Sequence, residues 1–211
     1  MTGRLLASGR EADVFEIDGT RVLRRYRRDA DVTAEAEAMR YVGALDYPVP
    51  EVHSASGIDM VLERLDGPTM ATSGLPPAEC ASILADLHRR LHELPPWPDA
   101  PAGTSIVHLD LHPENVLMTA RGPVVIDWCN VRADDPDLDT AMTALILAEV
   151  SLWDHPMSAL ARATLDEFLA IAPGDPRRLV ADVAAQRRGQ TVTLTPDELE
   201  VVDRAVSLVR G

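Results

Sequence analysis

Cysteine is scarce: the chain has only Cys80 and Cys129. Two thiols do not make a disulfide framework, so a reduced compartment is the simpler reading. No apolar run approaches the roughly 18 residues of a membrane span. The opening residues, MTGRLLASGREADVF, hold too short an apolar stretch for a signal peptide. A cytoplasmic location with no membrane partner is therefore expected. Basic charge is also in deficit, with 20 Lys+Arg against 34 Asp+Glu and a formal net charge of −14. That balance argues against a nucleic-acid partner and mildly favours a cationic one. Internal repeats and low-complexity tails are absent.

What is present suits a globular chain. Hydrophobic residues make up 46% and charged residues 26% of 211 positions, enough for one large domain or two small lobes with a real core. The first third reads as strands with one helix. β-Rich runs lie near Val14–Ile17 and Arg21–Tyr26, and the DGT between them is a hairpin signal. The alanine- and glutamate-rich stretch that follows places Met39, Val42 and Leu45 on one helix face. DYPVPEV breaks that helix, because proline restrains itself and the residue before it. DMVLERL reads as a buried strand ending at DGPT.

From Pro76 onward helices dominate. Ile83, Leu84, Leu87, Leu91 and Leu94 keep a helical period until prolines end it. Two short β-like runs, NVLM and VVIDW, follow, and further helices are expected near Leu138–Leu152, Met157–Ile171, Pro176–Gln186 and Pro196–Val209. Strands first and helices second, with a thin connection near Leu65–Gly74, make an α+β pattern of two lobes. The expected division is 1–66 and 67–211. A cleft between lobes is a usual place for a ligand.

One polar knot stands between apolar runs: IVHLDLHPENVLM, Ile106 to Met118. His108 and His112 are four apart, as in a helical zinc motif. That motif needs a helix with a glutamate between the histidines, and Pro113 disfavours helix at His112. A different spacing fits better. Asp110 and Asn115, then Asp127 after two short strands, match the kinase pattern H-R-D-x-x-x-x-N followed by D-F-G. The residue types suit phosphoryl transfer. A carboxylate at Asp110 can align an acceptor hydroxyl and receive its proton. Magnesium prefers hard oxygens, which the Asn115 amide and the Asp127 carboxylate offer.

The first lobe would then hold the nucleotide. Gly9 and Ala12 precede Val14, where kinases have G-x-x-G-x-V. RVLRRY offers Arg24 and no lysine where V-A-I-K would place one. An arginine fork suits phosphate, although it does not interchange with lysine. Its helix partner would be Glu35 or Glu37. Glu35 is preferred, because Met39 and Val42 follow it at +4 and +7 on the adjoining apolar face. Both glutamates as solvated helix charges is the alternative. The five arginines from Arg21 to Arg28 read either as a solvated basic face or as a strand that sets one arginine against phosphate.

These motifs resemble the aminoglycoside phosphotransferase and choline-kinase-like family, which shares the protein-kinase fold. VHLDLHPENVLM and VVIDWCN carry the likeness, with MVLERLDGPTM as strand and hinge. PEVH, LADLHRRLH and DDPDLDTA are also similar, so the resemblance covers most of Leu5 to about Ala144. It implies a two-lobed kinase-like fold using ATP and magnesium. In it Asp110 would be the catalytic base, Asn115 and Asp127 the magnesium ligands, and Arg24 the phosphate contact. Glu63 to Leu65 would meet adenine through backbone groups, His108 would brace the loop, and Asp139 would start a helix supporting that loop. His112 receives no role.

Two departures bear on substrate. The family has a long helical stretch between its LH segment and the catalytic loop, and here His92 and His108 are close in sequence. GREADVF in a short chain also resembles the atypical RIO protein kinases. No A-P-E segment follows Asp127 to hold a peptide, which favours a small-molecule acceptor. Asp134, Asp135, Asp137, Glu149 and Asp154 either line an acidic pocket for an amine or form a solvated rim. A nucleotide-binding scaffold without turnover is the remaining alternative.

Overall fold

A computed structural model describes residues 3–9, 11–27, 31–189 and 196–211, with backbone alone at 196–199. In chain order the elements are β1 (Leu5–Ser8), β2 (Ala12–Glu16), β3 (Arg21–Tyr26), α1 (Thr33–Gly43), β4 (Val52–Ser56), β5 (Asp59–Glu63), α2 (Pro77–His92) and β6 (Ser105–Val107). They continue with β7 (Val116–Thr119), β8 (Gly122–Val125), β9 (Arg132–Asp134), α3 (Pro136–Leu152), α4 (Ser158–Ile171), α5 (Val180–Gly189) and α6 (Pro196–Arg210). The chain divides into two compact units: Met1–Pro68 with Leu117–Asn130, and Thr69–Val116 with Val131–Gly211. Most of the β7–β8 hairpin therefore groups with the N-terminal strands, far from them in sequence.

The first unit is built on an antiparallel sheet in the order β1-β2-β3-β5-β4. Its β2–β3 turn forms because the Asp18 carboxylate accepts from the amides of Thr20 and Arg21, both at 2.9 Å, the local bonding that makes aspartate a turn residue. Along β3 the side chains alternate between faces. Val22 and Tyr26 are buried, and Arg24 lies on their face. α1 buries Glu35, Ala36, Ala38, Met39 and Val42. Leu45 does not continue that stripe as its spacing suggested. The helix ends at Gly43, Asp46 turns the chain at φ +62°, and Leu45 is left exposed. DYPVPEV ends the helix but also runs into β4.

The hairpin is tied into this unit by backbone. Met118 N–H donates to Pro68 O at 2.9 Å, and Val125 N–H to Pro48 O at 2.8 Å. Gly67 has φ +150°, and a Cβ there would stand 2.1 Å from Met118 O, so only glycine allows the approach. Trp128 is fully buried, edge-on to Tyr47 at 5.6 Å, and donates from Nε1 to Val125 O at 3.0 Å.

The second unit is helical. α2 packs on α4, and α3 packs on α4, α5 and α6. α3 is buried on all sides from Leu138 to Glu149, the pattern of a central helix. α2 buries one face, including Leu84, Leu87 and Leu91. Truncating any of these to alanine costs about 2–5 kcal/mol. α3 starts at Pro136 because Asp135 caps it, its carboxylate accepting from the Asp137 amide at 3.0 Å. α5 starts later than the sequence suggests, since the Asp175 carboxylate takes the Arg177 amide at 3.0 Å into a separate turn. β6 and β9 pair in antiparallel register, Ser105 with Asp134 and Val107 with Arg132.

Candidate active site

In the sheet unit, three side chains converge on Arg24. Its Nη1 donates to Glu35 Oε1 at 2.7 Å, and its Nη2 to Asp127 Oδ1 at 2.6 Å. Tyr26 donates its hydroxyl to Glu35 Oε2 at 2.7 Å, and its ring lies 4.8 Å from the Arg24 guanidinium carbon. Burial opposes the arginine's charge, but the carboxylates of Asp127 and Glu35 outweigh it and raise its pKa further. Glu35 is the helix glutamate that meets Arg24, and Glu37 is exposed. Asp127 sits at φ +65°, a left-handed conformation that aspartate tolerates better than most residues.

The other described arginines of this strand region are also paired. Arg21 holds Asp18, Arg25 holds Asp59, and Arg27 holds Asp13. Arg28 lies outside the described residues. These three are solvent-facing ion pairs, whereas Arg24 is mostly buried. Gly9 closes the β1–β2 turn, its amide donating to Ala12 O at 2.9 Å. A Cβ there would meet that oxygen at 3.4 Å, an ordinary contact. Glu63 ends β5 with its carboxylate on Arg121 at 2.8 Å and on the Glu51 amide at 3.2 Å. Leu65 is half-buried just beyond. Neither belongs to the Arg24 cluster.

In the helical unit the catalytic-loop candidate is braced on both sides of Asp110. Leu109 has φ +61°, a conformation that costs a branched side chain about 1–3 kcal/mol. Asp139, fully buried near the start of α3, accepts from the amides of His108 at 3.1 Å and Leu109 at 2.7 Å. His92 Nε2 lies 2.9 Å from the same carboxylate. On the far side, Thr143 donates its hydroxyl to Leu111 O at 2.6 Å. That hydroxyl must then accept from His88 Nε2, 2.8 Å away. His88 Nδ1 is left bare, 3.3 Å from Asp139 Oδ2 but without a hydrogen bond. Burial lowers the His88 pKa, in keeping with a neutral ring.

Asp110 itself is oriented by its loop. Asn115 donates Nδ2 to Asp110 O and to Asp110 Oδ2, each at 2.9 Å. His112 Nδ1 accepts from the Glu114 amide at 3.4 Å, which leaves Nε2 as the protonated nitrogen, 3.6 Å from Asp110 Oδ1. Burial raises the Asp110 pKa. The His112 imidazole beside it, with His108 and Arg187, outweighs burial and holds the group below its ordinary value. His112, which had no role in the sequence reading, thus faces Asp110. Its signal was position alone, two residues after the aspartate on an extended backbone.

Asn115 in the helical unit and Asp127 in the sheet unit each carry a donor of the type magnesium takes. Asn115 is half-buried and its amide nitrogen is taken by Asp110, so its carbonyl oxygen is the donor it has left, and Asp127 offers a carboxylate that is one-third exposed; both are hard oxygens. The acidic rim is different. Asp134 pairs with Arg132, Asp135 and Asp137 share Arg178, and Glu149 meets Arg187. Asp154 is exposed.

No curated protein matches the sequence. Solved structures do match in fold. A thermostable mutant of aminoglycoside phosphotransferase APH(4)-Ia, in ternary complex with AMP-PNP and hygromycin B, is 19% identical with a TM-score of 0.70, covering 98% of this chain and 92% of that one. The gentamicin–APH(2")-IIa complex is 16% identical with a TM-score of 0.65, covering 98% and 90%. Amicoumacin kinase hAmiN with AMP-PNP, Ca2+ and Ami is 12% identical with a TM-score of 0.59, covering 98% and 87%. The fold is thus α+β and protein-kinase-like. Among the described residues no helix is long and apolar enough to cross a membrane. The model of the phosphotransferase enzyme family (APH) matches residues 2–105 and 95–180, so the chain belongs to that family and is a phosphotransferase.

Proposed function

We propose that this phosphotransferase moves the γ-phosphate of ATP, with magnesium, to a hydroxyl of a small molecule. The observation that carries the reading is Asp110: an ionised carboxylate, oriented by Asn115 and His112, on a loop pinned at His108, Leu109 and Leu111. Phosphoryl transfer passes through a loose transition state, so positioning and charge do most of the work. Asp110 aligns the acceptor hydroxyl and receives its proton. Arg24, Glu35 and Gly9 serve the nucleotide, with the Glu63–Leu65 backbone at the adenine. Asn115 and Asp127 supply the oxygen ligands of magnesium, which when bound neutralises charge on the phosphates.

The acceptor is a small molecule by likeness to structures solved with hygromycin B, gentamicin or amicoumacin. An amine-binding acidic pocket gains no support from the rim, since four of its five carboxylates already pair with arginines. The two free thiols suit a cytoplasmic protein. A screen of aminoglycosides, choline-like alcohols, sugars and nucleosides with labelled ATP tests the reading. Asp110→Ala should lose turnover on any acceptor found while binding nucleotide as the parent does. Equal transfer by that variant refutes the role of Asp110. Arg24 in the lysine position favours one second reading, a scaffold that binds nucleotide without turnover. Binding of ATP and magnesium with no transfer and no hydrolysis would select it.

A further inference from the structure

The chain contains no lysine; all 20 of its basic residues are arginine. At position 24 this changes what one cation can do. A lysine is a compact point charge, whereas a guanidinium has a fork that reaches two carboxylates at once. Arg24 uses both prongs, Nη1 on Glu35 at 2.7 Å and Nη2 on Asp127 at 2.6 Å.

The two prongs are held unequally. Glu35 is 6% exposed, and its other oxygen is taken by the Tyr26 hydroxyl. The Tyr26 ring lies close to the guanidinium, a cation–π contact. Pulling Nη1 away would leave a buried carboxylate unpaired, which is strongly unfavourable. Asp127 is 36% exposed, so water or another ion can replace Nη2 there. One prong is an anchor and the other is exchangeable.

We propose that Arg24 is a resident counter-cation on Asp127, which couples divalent-ion binding to nucleotide binding. The inference rests on Asp127 being a metal carboxylate. A free divalent ion approaching Asp127 meets a positive guanidinium already seated on Oδ1. A nucleotide phosphate offers Nη2 a new anionic partner of matching geometry, and Asp127 is released to the ion. Arg24 thus pivots on Glu35 and serves Asp127 or phosphate in turn.

Manganese titration of the full chain, read by the electron-spin resonance of free Mn2+, tests this without activity. The parent should bind Mn2+ at least about tenfold more tightly with ADP than without, given the size of close charge interactions at a protein surface. The double variant Arg24→Gln with Glu35→Gln removes the anchored pair together. It should bind Mn2+ alone at least about tenfold more tightly than the parent. Arg24→Lys, which keeps a cation for Glu35 but loses the fork, should also bind more tightly, and it serves if the double variant does not fold. Equal Mn2+ affinity in parent and variants overturns the counter-cation role. Undiminished Mn2+ binding by Asp127→Asn, or no ADP binding at any Mn2+ concentration, instead overturns the metal or nucleotide reading.

Discussion

Asp139→Ala is the substitution whose cost can be worked most directly from the structure. The carboxylate is fully buried and accepts from two backbone amides, at 3.1 and 2.7 Å, with His92 Nε2 at 2.9 Å. Removing it strands those amides away from water, at about 1–3 kcal/mol for each unsatisfied group. It also releases Leu109, whose φ of +61° is itself unfavourable by about 1–3 kcal/mol. With about 4 kcal/mol lost at the two amides and about 2 kcal/mol recovered as Leu109 relaxes, the net destabilisation is about 2 kcal/mol. For a chain of this size that lowers Tm by roughly 4–8 °C. Calorimetry or circular dichroism measures the shift. The exposed i,i+4 partner Asp166, on Arg162 at 3.1 Å, supplies the control: Asp166→Ala should change stability by less than about 0.5 kcal/mol. In the same preparation kcat should fall with Asp139→Ala, because the loop that orients Asp110 is released. A Tm within about 2 °C of the parent, no larger than the control shift expected for a surface pair, would refute the reasoning.

Three further outcomes follow from the same geometry. Gly67→Ala forces a Cβ to within 2.1 Å of Met118 O at φ +150° and should cost more than about 2 kcal/mol, measured by urea denaturation. His112→Ala removes the imidazole that lies 3.6 Å from the Asp110 carboxylate and helps lower its pKa. The acid limb of kcat/KM should then move to higher pH, since a base is lost as pH falls through its pKa; an unmoved limb contradicts the contact. Stability should fall in two stages as pH drops. His88 has a folded pKa below 6.5, so its contribution is present above pH 6.5 and is lost as pH falls from there through the folded value. Asp139, held well below 3.8, contributes above pH 3.8 and is lost as pH falls through its own folded value. Tm measured against pH for the parent and for Thr143→Val, which disrupts the His88 relay, checks the first stage.

Some of the site was legible because it is local. Asp110 and Asn115 share one short turn, so their spacing carries their relation. Arg24 could be singled out by its place in RVLRRY, where V-A-I-K would put a lysine. Glu35 could be chosen by helical period from Met39 and Val42. Other relations depend on residues far apart in the chain. Arg178 meets Asp135 and Asp137 across more than forty positions. His88 reaches Thr143, and through it Leu111, from another helix. No period or spacing links such partners, so an acidic cluster already satisfied by arginine reads in sequence as an open one.

The sequence by itself determined the fold class, the family and the chemical vocabulary of the catalytic loop. Hydrophobic period, turn residues and short motifs act over a few residues, and those are written in order. Tertiary structure alone decided that the fork of Arg24 spans Glu35 and Asp127, and that His112 turns toward Asp110. It also showed that a buried aspartate holds Leu109 in a strained conformation. Each of these depends on where a side chain's donors point once burial has fixed its rotamer and excluded water, and that direction exists only after the elements have packed.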